Sequence, residues 1–242
     1  SSNWIAVKEL ELVRLLIGHR VDGIIMAPMN AESESIHLLK SHDMPFVMLN
    51  CISNSSFSIS SDNRRGGYLA AEHLIKTGHR QILALKGFEH QSADYRIEGF
   101  LEAVGHYRDQ FQFEARIIEH VNMLSDGYDI TSSLLDDFNI LGSRTGIFAL
   151  NDFVAMGVIE GLLHKGINVP EAVSVIGYDD INFAGKFRVP LTTIHQPKFK
   201  QGQIAAEKLL DVIQEPLQET GVLVFEPELI IRKSCGAVPG GV

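Results

Sequence analysis

Polar residues with planar, hydrogen-bonding side chains recur in this chain where apolar runs stop. Asn151 follows the run Ile147–Leu150, Asn50 follows FVML, and Asp179 with Asp180 follows Val173–Ile176 after Gly177 and Tyr178. Short apolar runs of this kind mark strands buried on both faces. In an open parallel sheet the carboxyl ends of such strands form the ligand-binding edge. The chemistry on offer there is recognition. Asp presents two acceptors, Asn an acceptor and a donor group, and Arg a rigid fork of donors, each suited to gripping neighbouring hydroxyls in parallel. Arg96 reads as opening the helix RIEGF, where a cation opposes the helix dipole and calls for a bound acceptor or a nearby carboxylate such as Asp179. Each group also has a structural reading: Asn151 and Asp152 are both good N-cap residues, and Asp179 could cap loop amides.

Catalytic readings find little. The chain contains no G-x-S-x-G elbow, no H-E-x-x-H, no P-loop and no G-x-G-x-x-G. Asp179 and Asp180, adjacent at a strand end, are expected to point apart rather than act as an acid/base pair. Cys51 and Cys235 lie far apart and suit neither a disulfide framework nor zinc spacing. His73, His79 and His195 do not share ligand spacing, and His79 is expected to complement a helix dipole. The expectation is a protein that is not an enzyme, with no catalytic residues, no metal and no cofactor.

Composition agrees with a globular binder. Of 242 residues, 45% are hydrophobic and 21% charged, close to ordinary globular usage. A net charge of −9 argues against a nucleic-acid surface within these residues, because phosphate binding needs a basic face. No apolar run approaches the roughly 20 residues of a membrane span, and the opening SSNWIAVKELELV does not read as a signal peptide.

The elements that must position the polar groups follow from periodicity. Ala6, Leu10, Val13 and Ile17 mark a helix ended by Gly18, and VDGIIMAP (21–28) reads as a strand. A helix over 33–42, the strand Phe46–Leu49 and a weak edge strand over Phe57–Ser60 come next, followed by a helix capped by Asp62. The strand Ile82–Leu85 precedes a helix marked by Ile97, Phe100 and Val104, then a strand over Ile117–Val121 and a helix marked by Ile130 and Leu134. Beyond the 146–176 strand, helix and strand, Ala205, Leu209 and Val212 mark a helix and Leu229–Ile231 a last strand. Alternation of this kind predicts an α/β fold with parallel sheets flanked by helices.

Five stretches then resemble one family. SISSDNRRGGYLAAEHLIKTGHRQILALKG, ADYRIEGF, an Asn-Asp at a helix start, VPEAVSVIGYDDINFA and PLTTIHQP occur in order between about Asp22 and Cys235. Together they resemble the effector-binding domain of lactose-repressor/galactose-repressor family regulators. The resemblance implies a two-lobed fold like type I periplasmic binding proteins, with three crossings near Ser61/Asp62, His195/Gln196 and Phe225. One lobe would hold 1–61 plus 196–224 and the other 62–195 plus 225–242. The first strand-helix-strand unit and the DNA-binding headpiece are expected to be absent from these residues. A sugar-like or nucleoside-like effector would lie between the lobes, touched by Arg96, Asn151, Asp179, Gln196, Ser92 and Asn50. The implied protein is a cytoplasmic homodimer with no membrane partner, reaching operator DNA only through the headpiece. The alternative is a periplasmic sugar-binding protein of a transporter.

Overall fold

The computed structural model describes residues 5–54, 56–87, 89–138, 140, 144–215 and 220–236. Residues 216–219 and 237–242 of the expected lobes lie outside them. In chain order the first elements are α1 (Ala6–Gly18), β1 (Ile24–Met26), α2 (Glu34–Ser41), β2 (Phe46–Leu49), β3 (Phe57–Ser61), α3 (Asn63–Lys76), β4 (Gln81–Leu85) and α4 (Gln91–Tyr107). There follow β5 (Glu114–Ile118), α5 (Leu124–Phe138), β6 (Thr145–Ala149), α6 (Asp152–His164), β7 (Val173–Asp179), β8 (Thr192–His195), α7 (Lys198–Gln214), β9 (Gly221–Phe225) and β10 (Glu228–Ile230).

The chain divides into two units. The first comprises Ser1–Asp62, Glu89–Ser92 and Pro197–Glu226, and the second Asn63–Phe88, Ala93–Gln196 and Pro227–Val242.

The first unit is built on a parallel sheet in the order β1-β2-β3-β9. Alternate residues of a strand point to opposite faces. Ile24 and Met48 accordingly pack with Val13 of α1 and with Ile36 and Leu39 of α2, while Val47 and Ile59 pack with Ala205 of α7. Phe57–Ser60 was expected at an edge, but β3 is interior, paired with β2 on one side and β9 on the other. Its serines give it a polar look in sequence, yet they are buried and bonded: Ser58 Oγ donates to the Ser53 carbonyl, and Ser61 Oγ accepts from Gln201 Nε2 at 2.8 Å. The strand β9 was not anticipated; it closes the edge of the sheet beside β3, with Val222 and Val224 exposed. The expected 21–28 strand is shorter, only Ile24–Met26.

The second unit carries the order β10-β8-β7-β6-β4-β5. Leu83, Leu85, Ile147, Ala149, Val173 and Val175 face one core with Val154, Val158 and Leu162 of α6. Ile82, Ala84, Phe148, Ile176 and Tyr178 face the other, with Ala70 and Leu74 of α3 and Phe100 of α4. Each fully buried large side chain of this kind contributes about 1.5–3 kcal/mol. The strand expected at 117–121 lies earlier, at Glu114–Ile118, where an edge position tolerates the charged residues of EARII. The last strand departs from an all-parallel sheet, since β10 pairs with β8 antiparallel.

Candidate functional site

In the second unit the carboxyl end of the sheet gathers the polar groups. The strand β7 ends at Asp179, and both Asp179 (φ 110) and Asp180 (φ 48) hold positive φ, a sharp turn that sends their carboxylates to different partners. Asp180 is bound by Arg232 Nη2 at 2.6 Å and lies 2.9 Å from His195 Nδ1, a structural network. Asp179 Oδ1 accepts from Gln196 Nε2 at 2.6 Å. Beside it stands Arg96, only 8% exposed, with Nη2 at 3.8 Å from that same Oδ1.

Arg96 does not open its helix, as expected, but lies in the second turn, because α4 begins at Gln91. The first turn instead holds Asp94, which complements the helix dipole. The helix dipole therefore does not explain Arg96. Its surroundings do: Nε donates to Asn63 Oδ1 at 2.8 Å, Nη1 donates to the Leu150 carbonyl at 2.5 Å, and the guanidinium carbon sits 3.6 Å from the centre of the Tyr178 ring. Tyr178 OH also donates to Asn63 Oδ1, at 3.3 Å. A buried cation without a tight counter-ion is costly, and neutral acceptors with an aromatic face offset that cost. Asn63 and Tyr178 escaped the sequence reading. Their signal lies in the DNRRGG and GYDD stretches, but nothing local in either marks an arginine partner.

Asn151 serves its structural role: Oδ1 accepts from the Val154 amide at 2.8 Å as N-cap of α6, and Nδ2 reaches the Asn122 carbonyl at 3.4 Å. Asp152, also read as a cap, is buried and accepts from Thr193 Oγ1 and the Ile181 amide at 2.6 and 2.8 Å. Gly177 makes this possible, because a Cβ there would run into the Asp152 carboxylate. Two amide oxygens at this sheet end, Gln196 Oε1 and Asn122 Oδ1, are buried with no hydrogen-bond partner. Phe153 and Phe183, following β6 and β7, are each 55% exposed.

The remaining candidates, Asn50 and Ser92, belong to the first unit. Asn50 follows β2 at φ 56 and its Oδ1 is buried without a partner; Asn is among the few residues that accept this conformation readily. Ser92 lies within α4 rather than ahead of it, and is engaged by His90. The Ser92 amide donates to His90 Nδ1 at 3.1 Å and Ser92 Oγ lies 2.7 Å from the same nitrogen. An Nδ1 that accepts leaves the proton on Nε2, which donates to the Pro28 carbonyl at 3.1 Å. His90 was not anticipated, since a lone loop histidine has no periodic signal.

Among the described residues no cluster of three His, Cys, Asp or Glu could hold a metal ion, and no helix is long and apolar enough to cross a membrane. Burial raises Cys51 to about 11 and Cys235 to about 12. His79 sits just past α3 and donates from Nδ1 to the Leu74 carbonyl of that helix's last turn at 3.0 Å, so it meets the helix end as expected, although it is buried and burial lowers its pKa. A separate groove of about 580 Å³ at the amino ends of β4 and β5, lined by Arg80, Arg108, Phe111 and Phe113 among others, holds none of the candidate residues.

Comparison with known proteins defines the class first. The periplasmic binding protein-like domain family matches residues 71–235. The HTH-type transcriptional repressor PurR of Vibrio parahaemolyticus is 36% identical over 235 residues, which is 94% of this chain and 68% of that protein. A LacI family transcriptional regulator from Enterococcus faecium, solved with bound ribose, is 34% identical and superposes with a TM-score of 0.82 over 95% of this chain and 85% of that one. A dimeric Lac repressor is 26% identical, with a TM-score of 0.82 over 96% and 84%. The chain belongs to the LacI family of transcriptional regulators, and these residues are its periplasmic-binding-protein-like effector-binding domain. The family is one of regulators, not enzymes.

Proposed function

We propose that the effector is a small neutral polyhydroxylated molecule of the pentose class, held at the carboxyl end of the second unit's sheet by Arg96, Asp179 and Gln196. The observation that carries this reading is the imbalance of the polar groups. Asp179, Gln196 Oε1 and Asn122 Oδ1 are acceptors, the latter two buried without donors, against a single cationic fork. A sugar presents a hydroxyl donor at nearly every carbon and suits such a set. The relative from Enterococcus faecium binds ribose, which supports the same class. Asn151, Asn50 and Ser92 stand as further candidate contacts. A second reading, a nucleoside or nucleobase, is favoured by one observation: Phe153 and Phe183 expose aromatic rings beside this sheet end, which planar bases stack on.

Effector binding would be coupled to operator binding by a homodimer in the cytoplasm, as suits a relative of transcriptional repressors. With a net charge of −9, residues 1–242 would not grip duplex DNA themselves, and DNA contact would fall to a headpiece outside this span. The exported transport binder shares the fold, but membership of a regulator family weighs against it.

Titration calorimetry of residues 1–242 with D-ribose, D-xylose, adenosine and adenine tests the effector reading. Saturable heat from a pentose alone is the expected result. Binding of adenine or adenosine in preference would move the assignment to the stacking reading, and no binding by any of the four would overturn both.

A further inference from the structure

We propose that Asn63 is a positioning residue for the effector site, holding the Arg96 guanidinium in place and keeping it from closing onto Asp179. The inference rests on the reading of Arg96 and Asp179 as ligand contacts, and adds a residue that need not touch ligand. An arginine beside a carboxylate in a desolvated site ordinarily forms a two-bond fork, with N···O distances of about 2.7–2.9 Å. Here Nη2 approaches Asp179 no closer than 3.8 Å. The reason is that the other edge of the guanidinium is already held. Nε, one of the two atoms of a side-on fork, donates to Asn63 Oδ1 at 2.8 Å, and Nη1 donates to the Leu150 carbonyl. The Tyr178 ring lies against the guanidinium plane at 3.6 Å and blocks rotation out of it.

Asn63 is suited to this by place and by chemistry. It is the first residue of α3, 3% exposed, and its side chain is itself steadied by the Tyr178 hydroxyl on the same Oδ1. An amide oxygen gives Nε an acceptor without neutralising the cation, so the charge stays available to ligand hydroxyls. The helices α3 and α4 pass closely enough for this bond because Gly67 and Gly99 carry no Cβ. At either position a Cβ would fall on a backbone carbonyl of the facing helix, that of Arg96 or of Arg64.

The experiment pairs D-ribose affinity with the side-chain Nε–H signal of Arg96 in a proton–nitrogen spectrum, assigned by its loss in Arg96→Lys. In Asn63→Ala we expect the Nε–H signal to broaden into solvent exchange while the backbone spectrum is retained, and the D-ribose Kd to rise about tenfold or more. Asn63→Asp, which keeps the acceptor but pairs the cation with a carboxylate, should restore the Nε–H signal while the D-ribose Kd stays about tenfold above the parent's. Should the alanine variant fail to fold, Asn63→Ser is read in the same way, because its hydroxyl is too short to reach Nε. A persisting Nε–H signal, or unchanged D-ribose affinity in a protein that binds it, overturns the proposal. If the parent protein does not bind D-ribose, the pentose reading fails by itself, and the Nε–H signal alone still decides for or against Asn63.

Discussion

Arg96 and Asp179 are opposite charges held side by side without closing: 3.8 Å separates Nη2 from Oδ1, while Asp179 is bound by Gln196 at 2.6 Å and Arg96 by Asn63 at 2.8 Å. A pair kept open in this way retains donors and acceptors for a ligand, whereas a collapsed salt bridge would satisfy itself.

Removing either member should weaken pentose binding. Arg96→Ala and Asp179→Ala are each expected to cost about 1.5–3 kcal/mol of binding, tenfold or more in Kd, as lost charge-assisted hydrogen bonds do. Arg96→Ala should also lower stability by about 1–3 kcal/mol, because Asn63 Oδ1 and the Leu150 carbonyl lose their donor. Calorimetry with D-ribose and urea unfolding check the two halves, and undiminished affinity in both variants would remove the site assignment.

Gln196→Glu should make binding depend on pH. The new carboxylate would meet Asp179 where the amide now donates at 2.6 Å, and two such carboxylates share a proton, which raises the upper of the pair's apparent pKa values. At about pH 5 the shared proton keeps the contact, and at about pH 8 the two charges repel. The variant's D-ribose affinity should therefore fall as pH rises, while the parent's stays level. A flat profile for the variant would show that residue 196 does not control Asp179.

Helix contact between α3 and α4 should tolerate no side chain at Gly99. A Cβ there falls on the Arg64 carbonyl, a backbone atom that cannot move aside, so Gly99→Ala is expected to lose roughly 3 kcal/mol or more. Gly105, in the same helix with nothing within 4 Å of its Cβ position, provides the control. There alanine should gain roughly 0.5–1 kcal/mol. Urea midpoints of the two variants, displaced in the same direction, would contradict the packing argument.

Stability should decline on the acid side through buried histidine. Burial lowers the pKa of both His73 and His79 below the ordinary histidine value of about 6.5. The unfolded chain then binds more protons than the folded one, so this stability is present above about pH 6.5 and is lost as pH falls below it. Urea midpoints at about pH 7.5 and 5.5 measure the loss, and His79→Gln should shrink the difference between them. A difference of unchanged size would mean that His79 is not part of the acid response.

Much of the fold was legible because its signals are local. The apolar run Ile147–Leu150, the Asn151 cap and the fourfold spacing of Val154, Val158 and Leu162 all lie within one strand–helix unit, and the structure forms that unit with the expected cap. The place of β3 was not legible. A strand of serines looks like an edge until Ser53 and Gln201 are found satisfying its hydroxyls. The start of α4 was misjudged for a related reason. Gln91 begins the helix while its side chain is engaged with the backbone of Ile52, 39 residues away in sequence, and no local pattern reports such a bond.

The same division runs through the candidate site. The sequence by itself determined which strands end in polar residues and which residue types stand there, because strand burial and capping depend on neighbours a few positions away. Tertiary structure decided what those residues do to one another. Arg96 meets Asn63 and the Leu150 carbonyl across 33 and 54 residues of chain, contacts set by the crossing of α3 with α4 and by the packing of Ile97 and Phe100 of α4 against Phe148 and Leu150. Whether a buried arginine closes onto a carboxylate or is held open beside it depends on such distant acceptors, and their positions are fixed only when the layers pack.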